Sequence, residues 1–309
     1  MRQDIKKLRL RFVLIVVIIV AVILACLFTI LYNIIKLSIN RFFISRYALA
    51  LILKDMRVRF IVIGLISVAL FGLIALILSK WVVKPVEKNW EEQKQFVNNA
   101  SHELKTPLTV IITNAEMLQA DCSEEDKKKY SKNILTVSRQ MRSLVEDLLN
   151  LARIEKGESA GFKKVNLSEL FTTNLLQFEP VMYELGLTLK EEIASNITVF
   201  GSEQRLQQLL TILLDNASKY SKLGIVYVKL QSNGHNAILS VANPSDPLSP
   251  QQLTDIFKRF YRTDESHNTK ESFGLGLPIA KSICESHNGK IKAEYKDGYI
   301  NFIVTIPIT

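Results

Sequence analysis

The stretch FVNNASHELKTPLTVI, residues 96–111, lies inside a long pattern of apolar residues that are spaced seven apart. The repeated positions are Trp90, Val97, Leu104, Ile111 and Leu118, while Ala100, Leu108 and Ala115 fill the alternate seam. Such spacing is typical of helices that pack along one another in a hairpin or a dimer stem. We therefore predict a helix through this stretch, with one apolar side packed against other helices.

A second amphipathic stretch follows at about Glu125–Lys156, after a polar turn at Ala120–Asp126. Its apolar face consists of Ile134, Met141, Leu144, Val145, Leu148, Leu149 and Ala152. A turn this short places the second helix antiparallel to the first, as a helical hairpin. Two copies of the hairpin would make a four-helix bundle, so we expect a homodimer.

One polar residue near the start of the first helix, His102, is a candidate for a chemical role. The neighbouring Leu104 belongs to the seam, so we expect His102 to face solvent together with Thr106, one turn later. Pro107 has no amide hydrogen, so the carbonyl of Glu103 loses its helical partner and the helix is expected to bend. An exposed imidazole next to a carboxylate is a candidate nucleophile. An ordinary solvated histidine has the same local pattern, so this observation does not decide by itself.

Two apolar runs precede the stem. Phe12–Tyr32 has 21 residues and Phe60–Leu78 has 19, and neither contains a charged residue. At about 1.5 Å per residue each can cross a hydrocarbon core of about 30 Å. We predict two transmembrane helices at 12–32 and 60–78, a short outer segment at 33–59 and a helical linker at 80–96. Within the outer segment, FFISRYALALIL is too short to span and fits either an interfacial helix or a plain basic loop.

Charge is distributed unevenly along the chain. Residues 1–90 contain 14 Lys and Arg against 3 Asp and Glu, whereas residues 91–309 contain 25 against 27. The basic part is therefore next to the membrane, where cations meet anionic lipid headgroups. A nucleic-acid-binding protein would need a basic soluble part, so we expect no nucleic acid partner. The three cysteines, Cys26, Cys122 and Cys284, have neither paired nor metal-type spacing, and no disulfide framework is expected.

The remaining residues, 165–309, alternate between strand-like and helix-like segments. Ser202–Ser221 is predicted to be a helix whose leucines form the buried side. This order indicates an α+β sandwich with helices on one face of a mixed sheet. The predicted strands are Leu189–Ile193, Ile197–Phe200, Ile225–Leu230, Ala237–Val241, Lys290–Tyr295 and Ile300–Ile306.

The string around His102 resembles the phosphoacceptor box of bacterial sensor histidine kinases. The resemblance implies that Nε2 of His102 attacks the γ-phosphate of ATP and that Glu103 accepts a hydrogen bond from Nδ1–H. It implies that Thr106 orients the water that hydrolyses phosphoaspartate on the partner. The implied partners are the receiver domain of a response regulator and a second copy of the chain. The implied domains are a dimerisation and phosphoacceptor domain at 97–157 and a catalytic ATP-binding domain at 165–309.

LLTILLDNASKYS, residues 209–221, resembles the N box of the ATP-binding domain shared by histidine kinases and gyrases. The resemblance implies that Asn216 binds Mg²⁺ and that Lys219 and Tyr220 approach the phosphates and the ribose. A carboxamide oxygen is a hard ligand that suits Mg²⁺. Ile212 departs from the pattern, because many members of the family carry another Asn there.

FKRFYR at 257–262 resembles the F box of the same domain, which borders a mobile lid. The polar segment 263–273 has the composition of such a lid. GLGL at 274–277 resembles the second glycine box, where backbone amides at a helix start approach phosphate. The residues that these two resemblances assign to the nucleotide are Phe257, Arg259, Phe260, Gly274, Leu275, Gly276 and Leu277.

One motif is altered. Asn243 stands where the family usually carries the Asp that binds the adenine amine, and Ser245 and Pro247 stand where glycines would be. An amide oxygen still accepts from the amine, but as a neutral acceptor. We therefore expect adenine binding that is weaker by about 1–2 kcal/mol.

The resemblance extends over roughly Gln93–Pro307 with the motifs in the family's order, and it implies a membrane sensor histidine kinase that uses ATP and Mg²⁺. Because ATP is cytosolic, the N-terminus and the catalytic domain are expected in the cytoplasm, with two spans in the cell membrane. Two alternatives stay open. One is a non-catalytic or phosphatase-biased signalling scaffold with weakened ATP binding, and the other is an ATPase of the gyrase or chaperone type.

The membrane-proximal sequence also limits how a signal could travel. About twenty residues separate Leu78 from His102, too few for the two-helix relay module that the family often inserts. We therefore expect the second span to couple directly to the stem. The outer segment of about 27 residues is too short for a folded ligand-binding domain. Sensing is expected in or at the membrane, through lipid or a partner membrane protein.

Overall fold

The computed structural model describes residues 2–39, 46–120, 123–156, 161–262 and 272–308. The chain forms two compact units, Met1–Gln95 and Phe96–Thr309. Most of the predicted lid, 263–271, lies outside the described residues, as do 42–45 of the predicted interfacial stretch and Cys122.

The first unit is built from helix α1, Arg2–Ile39, and the beginning of helix α2, Arg46–Gln119. The two helices pack antiparallel, because residues late in α1 contact residues early in α2 and the reverse. The ring centroids of Phe28 and Phe60 are 5.1 Å apart, and the guanidinium of Arg57 lies 5.8 Å from the centroid of the Tyr32 ring. A Cβ at position 64, which is glycine, would lie 3.1 Å from the Phe28 ring, so this glycine permits close helix packing.

Both helices contain segments that are long and apolar enough to cross a membrane, Val17–Ile35 and Lys54–Ala75. These segments overlap the predicted spans at 12–32 and 60–78. The described residues of segment 33–59 are helical, since α1 runs to Ile39 and α2 begins at Arg46. The plain-loop interpretation is therefore wrong for these residues, and the interfacial location stays a prediction.

The second unit begins with the stem. Helix α2 continues through Pro107 to Gln119, and helix α3 spans Glu124–Glu155. Ser123 caps α3 by accepting a hydrogen bond from the Asp126 amide at 3.1 Å, and the first turn of α3 is acidic, which complements the positive end of the helix. The predicted second helix, 125–156, matches α3 closely.

The remainder of the second unit is an α+β lobe, as predicted. Among the described residues its main sheet has five strands in the order β2-β4-β5-β7-β6, with β2 and β4 parallel and the other pairs antiparallel. A separate antiparallel pair is formed by β1 and β3. The strands are β1 Lys163–Asn166, β2 Leu187–Ile193, β3 Thr198–Gly201, β4 Gly224–Ser232, β5 Asn236–Pro244, β6 Lys290–Lys296 and β7 Tyr299–Pro307.

The helices of the lobe cover one face of the main sheet. They are α4 Leu167–Glu184, α5 Glu203–Tyr220, α6 Pro250–Asp255 and α7 Gly276–Ser286. The α5 residues that face the core are fully buried, because apolar positions three and four apart form one stripe of the helix: Leu206, Leu209, Leu210, Leu213, Leu214 and Ala217. Three residues of stem helix α3, Leu144, Leu151 and Ile154, belong to the same buried core. The stem and the lobe are thus one packed unit.

His287, directly after α7, is a buried polar residue that ties distant parts of the lobe together. Its Nε2 accepts a hydrogen bond from the Ser202 amide at 3.0 Å, and its Nδ1 lies 2.8 Å from the Ile283 carbonyl. The neutral ring with hydrogen on Nδ1 satisfies both bonds. The ring also stacks on Phe162, with centroids 4.8 Å apart. His287 therefore fixes the junction between β3 and α5 against the end of α7.

Burial lowers the pKa of His287 below its ordinary value of 6.5, the hydrogen bond to the Ile283 carbonyl opposes this effect, and the positive charge of Arg205 adds to it. A lowered pKa means that the unfolded chain takes up the proton first as the pH falls. The stability that His287 contributes is therefore complete above pH 6.5 and declines as the pH falls below it.

We predict that His287→Ala destabilises the lobe by about 2–4 kcal/mol, because the buried Ser202 amide loses its acceptor and Phe162 loses its stacking partner. Urea unfolding of the full chain, followed by hydrogen exchange of the β3 and α5 amides, measures the loss. The variant is also expected to lose the part of the stability that declines below pH 6.5. The matched control is the exposed His235, whose replacement by Ala should change neither the free energy of unfolding nor its pH dependence. If the free energy of unfolding depended on pH in the same way in wild type and in His287→Ala, the role assigned to His287 would be wrong.

Candidate nucleotide and phosphoacceptor sites

His102 is exposed on the surface of α2, as the seam pattern predicted. Glu103 beside it is half-buried, and Leu104 packs against the core of the unit. The hydroxyl of Thr106 donates a hydrogen bond to the His102 carbonyl at 3.3 Å, so the two residues share one face of the helix. The imidazole is thus accessible to another molecule or to another part of the chain.

A cavity of about 730 Å³ lies between the lobe helices, the end of the main sheet and stem helix α3. This volume suits a nucleotide-sized ligand. Its walls contain the N box residues Asn216, Lys219 and Tyr220, all four residues of GLGL at 274–277, and Ile212. The structure therefore brings together two motifs that are about sixty residues apart in the sequence.

The N box side of the cavity is polar. Nζ of Lys219 pairs with Oδ2 of Asp215 at 2.7 Å, and the half-buried Asn216 lies between these residues in sequence. Oη of Tyr220 shares a hydrogen bond of 2.7 Å with Oγ of Ser272. Carboxamide and carboxylate oxygens are the donor set that Mg²⁺ prefers, and a lysine beside them can meet a phosphate, so these residues fit a magnesium nucleotide.

The glycine box forms the start of helix α7. Leu275, whose side chain cannot accept a hydrogen bond, occupies the N-cap position, so the first amides of α7 are open to a ligand from the cavity. An anion is favoured there by these amides and by the helix dipole. Gly274 has φ +68°, and a Cβ at this position would lie 2.7 Å from the Tyr261 carbonyl, so only glycine fits this approach to the preceding segment.

Asn243 is fully buried and is not among the described residues that line the cavity, but it is in register with Ile300 of β7, which does line the apolar end. Its Oδ1 has no hydrogen-bond partner within the part of the chain that the structure describes. A buried acceptor without a partner costs about 1–3 kcal/mol. The exocyclic amine of adenine would supply the donor, so the residues present fit the base of ATP.

The three F box residues that the resemblance assigns to the nucleotide do not line the cavity, although Tyr261 and Arg262 of the same box do. Phe257 packs edge-on against Phe302, with ring centroids 6.4 Å apart. Arg259 forms an ion pair with Glu155 at the end of α3 and lies 4.9 Å from the centroid of the Phe96 ring. Phe260 packs against the same ring at 5.8 Å. In this structure Arg259 and Phe260 join the lobe to both stem helices, and nucleotide contact by these three residues stays a prediction.

Four polar residues of α3 also line the cavity, and the sequence motifs did not point to them: Arg139, Gln140, Ser143 and Asp147. Burial raises the pKa of Asp147 to about 6, the charge of Lys219 opposes this effect, and the carboxylates of Glu146 and Asp215 add to it. The spacing of these four residues places them on one side of α3, and a polar stripe on an otherwise amphipathic helix was the available signal. His102 is not among the described residues that line the cavity.

Two family models match the chain. Residues 92–157 match the His Kinase A (phospho-acceptor) domain, and residues 201–309 match the family described as histidine kinase-, DNA gyrase B-, and HSP90-like ATPase. The first match contains His102, and the second contains the whole wall of the cavity that the lobe contributes.

Two relatives illustrate the sequence similarity. The sensor protein DltS of Streptococcus agalactiae serotype V is 37% identical over 250 residues, which are 80% of this chain and 62% of the relative. The heme sensor protein HssS of Staphylococcus aureus strain Newman is 32% identical over 218 residues, 70% of this chain and 47% of the relative. The chain thus spans about half to three fifths of the length of the relatives it matches.

Solved structures share the fold. Acinetobacter baumannii histidine kinase AdeS superposes with a TM-score of 0.54 at 23% identity, over 67% of this chain and 98% of that one. Histidine kinase ThkA, solved in complex with the response regulator protein TrrA, superposes with a TM-score of 0.59 at 21% identity, over 72% of this chain and 64% of that one. With the phosphoacceptor string on an exposed helix face and the N and glycine boxes around one cavity, the chain belongs to the bacterial two-component sensor histidine kinases.

Proposed function

We propose that the protein is a membrane sensor kinase that autophosphorylates His102 from Mg-ATP and passes the phosphoryl group to an Asp of a response regulator. The observation that carries the proposal is the pairing, in one compact unit, of an exposed His102 with a cavity that contains Asn216 and the open start of α7. A nucleophile and a nucleotide site are the two parts that this reaction needs.

The walls of the cavity suggest where each part of ATP lies. The base lies against Ile300 and Phe302, because this end of the cavity is apolar. Its amine is directed to the unpartnered oxygen of Asn243, the cross-strand neighbour of Ile300. The triphosphate lies at the start of α7, with Lys219 as its cationic partner. Asn216 would hold Mg²⁺, which would supply positive charge that reduces the repulsion between the triphosphate and the nucleophile.

The transfer forms a bond between Nε2 of His102 and the γ-phosphorus and breaks the bond from that phosphorus to the β–γ bridging oxygen. The electron pair of the broken bond leaves with ADP. The ring gains positive character, which a hydrogen bond from Nδ1–H to the Glu103 carboxylate offsets. Because His102 does not line the cavity, the lobe must change its position on a stem before the transfer.

The phosphohistidine then serves as the donor for an aspartate on a receiver domain. The fold similarity to ThkA, which was solved with the response regulator protein TrrA, supports a partner of this class. Thr106 lies on the same face of α2 as His102. There its hydroxyl can orient a water molecule for the opposing activity, hydrolysis of the phosphoaspartate on the response regulator.

Apolar residues left exposed on the stem support a homodimer. Val97 is 55% exposed and Leu108 is 45% exposed, although both belong to the predicted seam. An apolar seam of this kind is stabilised when a second hairpin covers it. A four-helix bundle from two chains would bury these residues and leave His102 outside.

The apolar segments of α1 and α2 support a location in the cell membrane with two spans. The N-terminus and the catalytic lobe are cytoplasmic in this proposal, because the lobe uses cytosolic ATP. With little chain between the spans, recognition of the stimulus falls to lipid or to a partner membrane protein.

The direct test is incubation of the full chain in lipid nanodiscs with Mg-ATP labelled at the γ-phosphate. A single label that is stable in alkali and lost in acid, as an N–P bond is, supports the proposal. Transfer of the label to a purified receiver domain supports the second step. Absence of label at saturating Mg-ATP, in a chain that binds the nucleotide, would favour a signalling scaffold instead.

Helix α2 contains both the second apolar segment and His102. We therefore expect the rotation of this helix about its axis to transmit the signal to His102. We predict that one or two residues inserted between Lys88 and Gln95 change the rate of autophosphorylation in nanodiscs by about tenfold in either direction. Each inserted residue rotates the following helix by about 100°.

A seven-residue insertion is the matched control, because two helical turns restore the phase to within about 20°. It should label at close to the wild-type rate. Equal rates for the one-, two- and seven-residue insertions would contradict coupling through the helix.

A further inference from the structure

The amide of Asn243 differs chemically from the carboxylate that its motif usually has. Strand β5 buries every second side chain under the lobe helices, and Asn243 is the last of these positions, after Ala237, Leu239 and Val241. Nδ2 of Asn243 donates to the Pro244 carbonyl at 3.4 Å, which is long for a hydrogen bond, while Oδ1 has no partner among the described residues. The structure therefore holds this amide only weakly in one orientation.

The amide is not itself among the described residues that line the cavity, but it lies beside two that are. Asn243 is in register with Ile300 of the antiparallel strand β7. Opposed side chains of such a pair lie on the same face of the sheet, with Cβ atoms about 4.5–5.5 Å apart. Ile300 lines the cavity, and so does Ser245, two residues after Asn243. A base that packs on Ile300 and Phe302 would bring its edge to the amide.

An amide offers a donor and an acceptor side by side, whereas a carboxylate only accepts. With Oδ1 toward the substituent at C6 of the purine, the amide accepts from the N6 amine of adenine and donates to N1. After a half-turn of the amide, Nδ2 donates to O6 of guanine and Oδ1 accepts from N1–H. A carboxylate facing the same substituent accepts from adenine and repels O6 of guanine.

We infer that Asn243 relaxes the choice of purine, so that the site binds GTP as well as ATP with affinities within about tenfold of each other. This inference rests on the proposed nucleotide site and names its substrate class more closely. The weak bond to the Pro244 carbonyl favours ATP slightly, because the half-turn gives it up, and this loss is the reason that we expect a modest preference for ATP rather than none.

Equilibrium binding of Mg-ATP and Mg-GTP to the full chain in nanodiscs, by calorimetry, tests the inference without any kinase activity. We expect wild-type dissociation constants within about tenfold of each other. Asn243→Asp should bind ATP at least as tightly as wild type and should weaken GTP at least about tenfold, since a charged acceptor faces O6. Asn301→Asp is the matched control: Asn301 neighbours Ile300 on the opposite face of β7, where it accepts from Ser240, and its change should leave the ratio unaltered.

The outcomes separate the two proposals. An ATP preference of 100-fold or more in the wild type overturns the inference about Asn243 and leaves the kinase proposal standing. The wild-type ratio decides this even if the aspartate variant fails to fold. Binding of neither nucleotide overturns the nucleotide site itself, and the inference with it. If Asn243→Asp changed the dissociation constants of both nucleotides by the same factor, residue 243 would not discriminate between adenine and guanine.

Discussion

Replacement of His102 by Gln is expected to reduce autophosphorylation at least about 1,000-fold, to the background of the assay. Glutamine keeps the size and polarity of the side chain but has no ring nitrogen that can attack phosphorus. His102 is exposed and does not line the cavity, so the variant should fold and bind Mg-ATP with a dissociation constant within twofold of wild type. Labelling with γ-labelled Mg-ATP and calorimetry on the same sample measure both quantities.

The chain offers a matched control, because His235 is also an exposed histidine. His235→Gln should label at the wild-type rate. Label that persists in His102→Gln, or that disappears in His235→Gln, would place the phosphorylated residue elsewhere. Loss of nucleotide binding together with label in His102→Gln would instead mean that the variant has lost its fold.

The second large effect is expected at Asn216. Asn216→Ala removes the oxygen that we assign to Mg²⁺, so added Mg²⁺ should no longer strengthen ATP binding, and autophosphorylation should fall at least about 100-fold. Binding is measured by calorimetry over a series of Mg²⁺ concentrations, which isolates the metal from the transfer step. The apolar end of the cavity is unchanged in this variant, so binding of ATP without Mg²⁺ should survive.

Asn216→Asp keeps an oxygen ligand and is expected to recover part of the magnesium dependence. Asn174→Ala is an unsuitable control, because Asn174 is buried and hydrogen-bonded to the Leu170 carbonyl and to Gln207. The half-buried Asn301, outside the cavity, is the better one, and Asn301→Ala should bind like wild type. An unchanged response to Mg²⁺ in Asn216→Ala would remove this residue from the metal site.

Local patterns in the sequence predicted most of the secondary structure. The helix predicted at 202–221 is observed as α5 with Ser202 and Ser221 as its caps, because a leucine stripe and a capping serine are local signals. The strand predicted at 197–200 also exists, as β3. It pairs with β1 rather than with the main sheet, and strand pairing depends on partners that are distant in sequence.

Some residues of the candidate site were predicted from the sequence, and others were found only in the structure. Asn216 and the glycine box were found by their strings, and the structure places them in one cavity. Asp147 and Arg139 were missed, because nothing near them in sequence resembles a nucleotide motif. Their place in the wall follows from the packing of α3 against α7, which buries Leu144, Leu151 and Ile154. The sequence pattern assigned the apolar face of α3 to the bundle alone.

The sequence by itself determined the family, the two long apolar segments and the amphipathic stem, and it predicted the phosphoacceptor, because each depends on residues that are close in the chain. The tertiary structure decided that Arg259 meets Glu155 and Phe96, that His287 accepts from Ser202, and that the oxygen of Asn243 is buried without a partner. These contacts join residues far apart in sequence, or depend on what surrounds a side chain. Only the packed chain fixes such distances and burial.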